Sequence, residues 1–241
     1  MKILTKLLKN HNHVVFLDFE GTQYSHEMIA IGAVACSLQK DGHIKRQKSP
    51  FKIYVKPQNK IGSFVTKLTG ITEDYIEQNG VSFTIAMNRL KKYVGLAFNK
   101  ASFVTFGSHD ITILNSSISH TLNYPKEICA QIHHNYVDYL AFLQNFMRDD
   151  NGNPLSLLHY CDAFNVKIEG TAHDPAADAL NLAKLYDAFL DNKSIAIDGF
   201  KKVALKTLHL PQPIKNILEE VSDGKTVTPK EYDDQIEKYL S

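Results

Sequence analysis

Five side chains in this sequence could act on one substrate: Asp18 and Glu20 in FLDFEGT, Asp110 in FGSHDITIL, and His173 and Asp178 in TAHDPAADALNL. Asp18 and Glu20 are two apart in an apolar run, so on a strand they point to one face while Leu17 and Phe19 point to the other. At a rise of ~3.3 Å per residue their Cα atoms lie ~7 Å apart, close enough for both carboxylates to converge on one cation. A strand that simply emerges into solvent at Asp18 explains the pair equally well, since burying unpaired carboxylates is costly. Asp110 falls in the first turn of a predicted helix, four residues before Leu114 and eight before Ile118, and so continues the apolar stripe. The alternative is an acid favoured by the helix dipole, worth ~0.3–1 kcal/mol at exposed sites.

In HDPAAD the parts separate by helix geometry. Pro175 suits the first helical position, which makes Asp174 an N-cap. Asp178 then aligns with Leu182, Leu185 and Phe189 on the inward stripe, Asp187 faces nearly the opposite way, and His173 stands just outside the helix. Four inward-facing acids at strand and helix ends would repel one another unless divalent cations neutralise them, and carboxylate oxygens suit Mg²⁺ or Mn²⁺. Two such ions ~3.5–4 Å apart can activate water and stabilise the leaving oxygen in phosphodiester hydrolysis. His173, with an ordinary pKa of ~6.5, could accept the water's proton near neutral pH.

The elements that must position these groups are strands first, then alternation. HVVFLDFE at residues 13–20 reads as a buried strand. MIAIGAVACSLQ and SPFKIYVKP read as two more, joined by KDGHIKRQK with Asp41-Gly42 as a hairpin signal. Short helical pieces follow: IGSFVTKL ended by Gly70, TEDYIEQ capped by Thr72, and FTIAMNRLKKYVGLAF opened by Ser82. SFVTF is a fourth strand; Gly107 turns it into HDITILNSSISHTL with Ser108 as a cap, NYVDY is a fifth strand, and LSLLHYCDAFN and PAADALNLAKLYDAFL are helices. The expectation is an α/β domain with a mixed five-stranded sheet and helices on its faces over residues 13–191. Residues 192–241 are a C-terminal extension with proline-introduced helices at LPQPIKNILEEV and PKEYDDQIEKYL.

Composition narrows the class. The 241 residues are 44% hydrophobic and 22% charged, as in an ordinary globular protein. A net charge of +1 supplies no global pull toward a polyanion, so any such affinity is local or metal-borne. Cys36, Cys129 and Cys161 are odd in number, widely spaced and lack a CxxC pair, which argues against a disulfide framework or a structural zinc site and suggests a reducing cytoplasm. MKILTKLLKNHNH is broken by Thr5 and Lys6, short of a signal peptide's apolar core, and no segment approaches the ~20 apolar residues of a membrane helix. His133-His134 and His11-x-His13 lack partners at metal-ligand spacing. Lys40, Lys45, Arg46 and Lys48 read as a solvated hairpin tip before they read as a phosphate site, and Tyr93, Phe98 and Phe103 as core.

On Asp18, Glu20, Asp110, His173 and Asp178, in that order, the sequence resembles the DEDDh 3′ to 5′ exonucleases over residues 13–191. Within that superfamily DFEGT, YVKP and KLTGITEDYI look most like the ERI-1-type exoribonuclease branch. The resemblance implies an RNase H-like fold, two Mg²⁺ or Mn²⁺ ions, single-stranded RNA or DNA 3′ ends as substrate and release of 5′-mononucleotides. By the same analogy Asp18 bridges both ions, Glu20 and Asp178 complete the first site, Asp110 reaches the second largely through water, and His173 is the general base. Gly21, Thr22, Leu68 and Thr72 would line the terminal-nucleotide pocket, although a glycine turn and a capped helix explain Leu68 to Thr72 equally well. The expected function is therefore a 3′ to 5′ exonuclease, with RNA favoured. A DNA proofreading-type exonuclease is the alternative, and an inactive binding module on the same fold is the alternative of another class.

Overall fold

The apolar run of the first motif becomes β1 (His13–Gly21), whose Val14 to Leu17 are all buried. It is the sheet's second-longest strand and lies between β2 (Met28–Leu38), antiparallel, and β5 (Ala101–Thr105), parallel. The protein is seen as a computed structural model describing residues 2–207 and 209–240. The sheet runs β3 (Ile44–Gln47), β2, β1, β5, β6 (Tyr136–Asp138), with β4 (Phe51–Tyr54) also paired to β2. It is mixed, as expected, but six-stranded where five strands are predicted. The extra strand is β3, inside the stretch read as a hairpin link. IKRQ has no apolar alternation to reveal it, and it pairs through backbone bonds to Cys36–Leu38.

One face of the sheet carries Val15, Leu17 and Phe19 against α4 (Phe83–Val94), α5 (His109–Ser119) and α6 (Lys126–His134) in a single apolar cluster. The other face receives α9 (Pro175–Asp191), where the Phe16 and Tyr186 rings lie 5.5 Å apart. Alternation along β1 therefore sends Asp18 and Glu20 toward the α9 side. α2 (Ser63–Thr69) ends at Gly70 with φ 73°, and Thr72 caps α3 (Glu73–Asn79) by accepting the Tyr75 N–H at 3.1 Å, both as predicted. Ser82 likewise caps α4. Ser108 does not cap α5 through its side chain, contrary to expectation: its φ and ψ of −89° and −4° are already helical rather than extended.

Helices α1 (Lys2–Leu7), α6, α7 (Tyr139–Leu143) and α10 (Lys193–Thr207) have no counterpart in the predicted elements. α8 (Leu157–Ala163) and α9 do. The chain forms two compact units. The first comprises residues up to Ala141 together with Ser156–Asp191 and contains the whole sheet. The second joins Phe142–Leu155 to the segment from Asn192 onward, so the stretch 142–155 groups with the C-terminal residues rather than with the sheet. Within it α10, α11 (Gln212–Ser222) and α12 (Pro229–Leu240) are helical, Gly199 packs against the Phe146 carbonyl, and Asn216 Nδ2 donates to Gln235 Oε1 at 2.8 Å. Among the described residues no helix is long and apolar enough to cross a membrane.

Candidate active site

Three chain segments meet at the C-terminal end of β1. Because β1 and β5 run parallel, with Phe16 opposite Val104, the chain leaving β5 turns across that same end of the sheet. Gly107 makes the turn at φ 101°, a region that favours glycine, and its carbonyl accepts from the Thr105 hydroxyl (2.7 Å) and the Tyr136 hydroxyl (3.0 Å). Asp110 follows in the first turn of α5, only 6% exposed, and its Oδ1 accepts the Phe19 N–H at 2.7 Å. The second motif is thereby tied to the backbone between the two acids of the first.

The third segment is the start of α9. Asp18 pairs across the sheet with Gly32, and a Cβ on Gly32 would lie 1.8 Å from the Pro175 carbonyl oxygen. Only glycine lets the first turn of α9 sit directly on β2 beside Asp18. Asp174 caps that turn, its Oδ1 accepting from the Ala176 N–H (3.0 Å) and the Ala177 N–H (3.4 Å), while its Oδ2 takes the Lys52 ammonium at 2.8 Å. Lys52 stands on β4 opposite Gly32, so the ion pair anchors the same turn to the sheet. His173 has φ 63°, a left-handed conformation uncommon outside glycine, and its N–H donates to Asp178 Oδ2 at 2.9 Å. The loop thus folds His173 back over the helix start, with Nδ1 3.9 Å from Glu20 Oε1. Glu20, His173 and Asp178 each present a ligand atom, all within 4.8 Å of one another.

The acids respond to this crowding. Burial raises the carboxyl of Asp18 well above its usual range, and the charges of Asp110, Glu20 and Asp178 add to the effect. Burial and Asp178 push Glu20 up to about 8. Asp110 reaches about 7, burial outweighing the bond from Phe19, and Asp178 is also raised. Two other acids lie on the opposite side of the ordinary range. Glu27 is 3% exposed, yet bonds from Gln58, Asn59 and Ser25 overcome its burial and hold it below the ordinary range. Asp174 is held low by Lys52 and the Ala176 and Ala177 amides despite its burial. Glu27 and Asp174 are satisfied by protein groups. Asp18 and Glu20 accept no hydrogen bond among the described residues. Convergent oxygen donors without hydrogen-bond donors of their own fit a hard divalent cation, which would favour their ionised forms.

Of the residues expected at the terminal nucleotide, Gly21 ends β1, with Ile113 packed where its Cβ would be. Thr22 is 1% exposed, its hydroxyl engaged with Ser25 Oγ (2.7 Å) and the Glu27 N–H (2.9 Å), which leaves its side chain to shape the loop. Leu68 is exposed on α2, and Thr72 caps α3. Gln23 joins the loop after β1 to α2, its N–H donating to the Ile61 carbonyl (2.8 Å) and its Oε1 accepting from the Phe64 N–H (3.2 Å). Phe64, one turn before Leu68, is 62% exposed and gives α2 an apolar outer stripe. Phe64, Lys52 and Gly32 have no place among the residues predicted from sequence. Glycine in the apolar strand MIAIGAVAC signals a close approach, whereas nothing local marks Lys52.

A sequence model of the exonuclease family matches residues 15–186 of the chain. No curated protein matches it. Among solved structures, the nuclease domain of 3′hExo, a DEDDh family member bound to rAMP, superposes with TM-score 0.59 at 22% identity over 76% of this chain and 93% of that one. Cell-death related nuclease 4 (CRN-4) gives 0.58 at 22% identity over 75% and 64% of the two chains. E. coli Exonuclease I in complex with a dA16 oligonucleotide gives 0.57 at 16% identity over 86% and 45%. These likenesses show the shared RNase H-like fold. With the family match spanning all five residues of the motifs, the chain belongs to the exonuclease family.

Proposed function

We propose that the protein hydrolyses single-stranded nucleic acid from the 3′ end, releasing 5′-mononucleotides, with RNA as the favoured substrate. The observation that carries this reading is the convergence of Asp18, Glu20, Asp110 and Asp178 at the end of β1, all raised in pKa and with Asp18 and Glu20 accepting no hydrogen bond among the described residues, whereas Glu27 and Asp174 are held low by donors from the protein. Asp18, Glu20 and Asp178 would hold one Mg²⁺ or Mn²⁺ ion, and Asp18 with Asp110 a second. When bound, these ions lower the pKa of the attacking water and offset charge on the leaving oxygen. His173 takes the water's proton; its half-exposed ring hangs at the site's edge, where a substrate phosphate approaches from solvent. The water oxygen bonds to phosphorus, the P–O3′ bond breaks with its electron pair going to O3′, and O3′ takes a proton from solvent, so the shortened strand leaves with a 3′-hydroxyl. The exposed Phe64 and Leu68 offer apolar surface for the terminal base.

RNA is favoured by the ERI-1-like DFEGT and LTGIT motifs and by the likeness in fold to the 3′hExo nuclease domain, covered to 93% of its length, whose structure holds rAMP. A DNA end is the second reading, supported by the likeness to Exonuclease I with dA16. The three cysteines, free and buried, favour a reducing compartment, the cytoplasm in this reading. The test is a 5′-labelled RNA and a DNA of matched sequence incubated with Mg²⁺, Mn²⁺ or EDTA. The wild type should give a ladder shortening from the 3′ end only with metal, faster on RNA, and Asp18→Ala should give none. A faster DNA ladder would select the second reading, and equal degradation by Asp18→Ala would overturn the site.

A further inference from the structure

Helix α12 is specified by its own sequence but has no covered face. Thr228 and Glu231 close a reciprocal capping box at its start: Thr228 Oγ1 accepts the Glu231 N–H at 3.3 Å, and Glu231 Oε2 accepts the Thr228 N–H at 2.7 Å. Behind that cap Tyr232, Ile236, Tyr239 and Leu240 recur at helical spacing and make one apolar stripe. A helix of this length is marginal in water unless such a stripe is packed. Yet no described residue of α12 is buried, and Tyr239 is 60% exposed. Gln235, on one flank of the stripe, meets Asn216 of α11; Asp233 and Glu237 run along the other flank.

In the same unit α10 presents the complementary surface. Its packed side is that of Gly199, set against the Phe146 carbonyl, with half-buried Ile195 and Val203 one turn to either side. The opposite side carries Lys193, Ile197, Phe200 and Lys201 at helical spacing. Ile197 is 56% and Phe200 50% exposed, the Phe200 ring leaning on that of Phe146 at 5.9 Å. Lys201 has a loose partner in Asp198 at 3.9 Å and stays exposed. α10 holds four lysines against one aspartate, whereas α12 holds four acids against two lysines. Each helix thus shows exposed apolar side chains edged by charge of one sign, and the signs are opposite. Within one copy both faces remain exposed, so neither covers the other.

We infer that the chain forms a two-fold dimer in which the α10 face of each copy covers the α12 face of the other. In a two-fold dimer every contact occurs twice with the roles exchanged, so a surface with one basic and one acidic pole is complementary to itself and closes. Ile197 and Phe200 meet Tyr232, Ile236 and Tyr239, which takes apolar area out of water at both contacts. Lys193 and Lys201 meet Asp233 and Glu237 at the rim, where charge fixes orientation because either face turned on its own kind would set like charges together. A nucleic acid could match only the α10 half of this surface, since the acids of α12 repel phosphate. The inference is independent of the nuclease reading, because association is measured without metal, substrate or turnover.

The experiment is sedimentation equilibrium of the full chain in EDTA over a wide concentration range, where the mass should rise to twice that of the monomer. Lys193→Glu with Lys201→Glu sets acid against acid, and Asp233→Lys with Glu237→Lys sets base against base, so each pair alone should weaken association by ~10-fold or more. An equimolar mixture of the two variants restores opposite charges at both contacts and should return association to within ~3-fold of wild type. Phe200→Ser, which leaves the charge unchanged, should weaken it by ~10-fold or more. Circular dichroism establishes that each variant is folded; where a charge variant is not, Phe200→Ser carries the test, and unchanged association there overturns the inference. A dimer that both folded charge variants leave intact overturns it, as does a mixture of them that stays monomeric. So does a wild type that is monomeric throughout, and weaker oligonucleotide binding by Lys193→Glu with Lys201→Glu would then assign the α10 face to nucleic acid instead.

Discussion

At the scale of single residues, Asp174 and Asp178 are four positions apart on one helix and have opposite electrostatic fates. Asp174 is satisfied by two backbone amides and Lys52, and sits below its ordinary pKa. Asp178 receives one amide, faces Glu20, and is raised. Replacing Asp174 by Asn keeps a capping oxygen and removes a partly exposed ion pair, at a cost of ~0–1 kcal/mol. Asp174→Asn should therefore hold kcat within ~3-fold of wild type, whereas Asp178→Asn removes an anionic ligand and should lower it by ~10²-fold or more. Steady-state kinetics on a labelled oligonucleotide, with melting curves to establish equal folding, decide the matter. Similar losses in the two variants would contradict this division of roles.

Elements do at the next scale what residues cannot do alone. Asp18 and Asp178 are brought together because α9 starts directly on β2, and that contact requires Gly32. A methyl group there must move either the strand or the Pro175 peptide. Gly32→Ala should accordingly destabilise the fold by ~1–3 kcal/mol and, in the fraction that remains folded, lower kcat more than it raises KM. A variant with wild-type stability and kcat would show that the close approach has no part in placing Asp178. Much of this arrangement is legible in sequence. Continuous apolar runs locate β1, β2 and β5, helical periodicity locates α9, and Pro175 fixes where α9 begins. What is not legible has no local signature: β3 is a polar edge strand held by backbone pairing, α6 is short and follows a proline, and Lys52 is recognised only once β4 lies beside α9. Thr22 shows the opposite limit, since a motif can name a residue but not reveal that its hydroxyl is already engaged with Ser25 and Glu27.

For the whole molecule, the acid cluster links folding to pH and to cations. In the unfolded chain Asp and Glu titrate near ~4, whereas in the fold Asp110 rises to about 7, Glu20 to about 8, and Asp18 well above its ordinary value. Raised folded-state values mean that the folded form binds the extra protons. Their stabilising effect is complete below the unfolded pKa values and disappears as pH climbs through the folded ones. His11, His109 and His133 are lowered by burial and act in the reverse direction, gaining stability as pH rises through the ordinary histidine range. A single melting curve therefore mixes the two signs, but the difference between wild type and Asp18→Asn does not, because the histidines are common to both. In EDTA the two proteins should melt at similar temperatures near pH 4.5, and Asp18→Asn should become progressively the more stable toward pH 8. Millimolar Mn²⁺ should reverse that order at pH 8, since only the wild type retains the full carboxylate set, and should have little effect at pH 5, where proton competition weakens binding. If wild type remains the more stable in EDTA at pH 8, the cluster is not under the electrostatic strain that a cation would relieve, and the metal reading of the site fails with it.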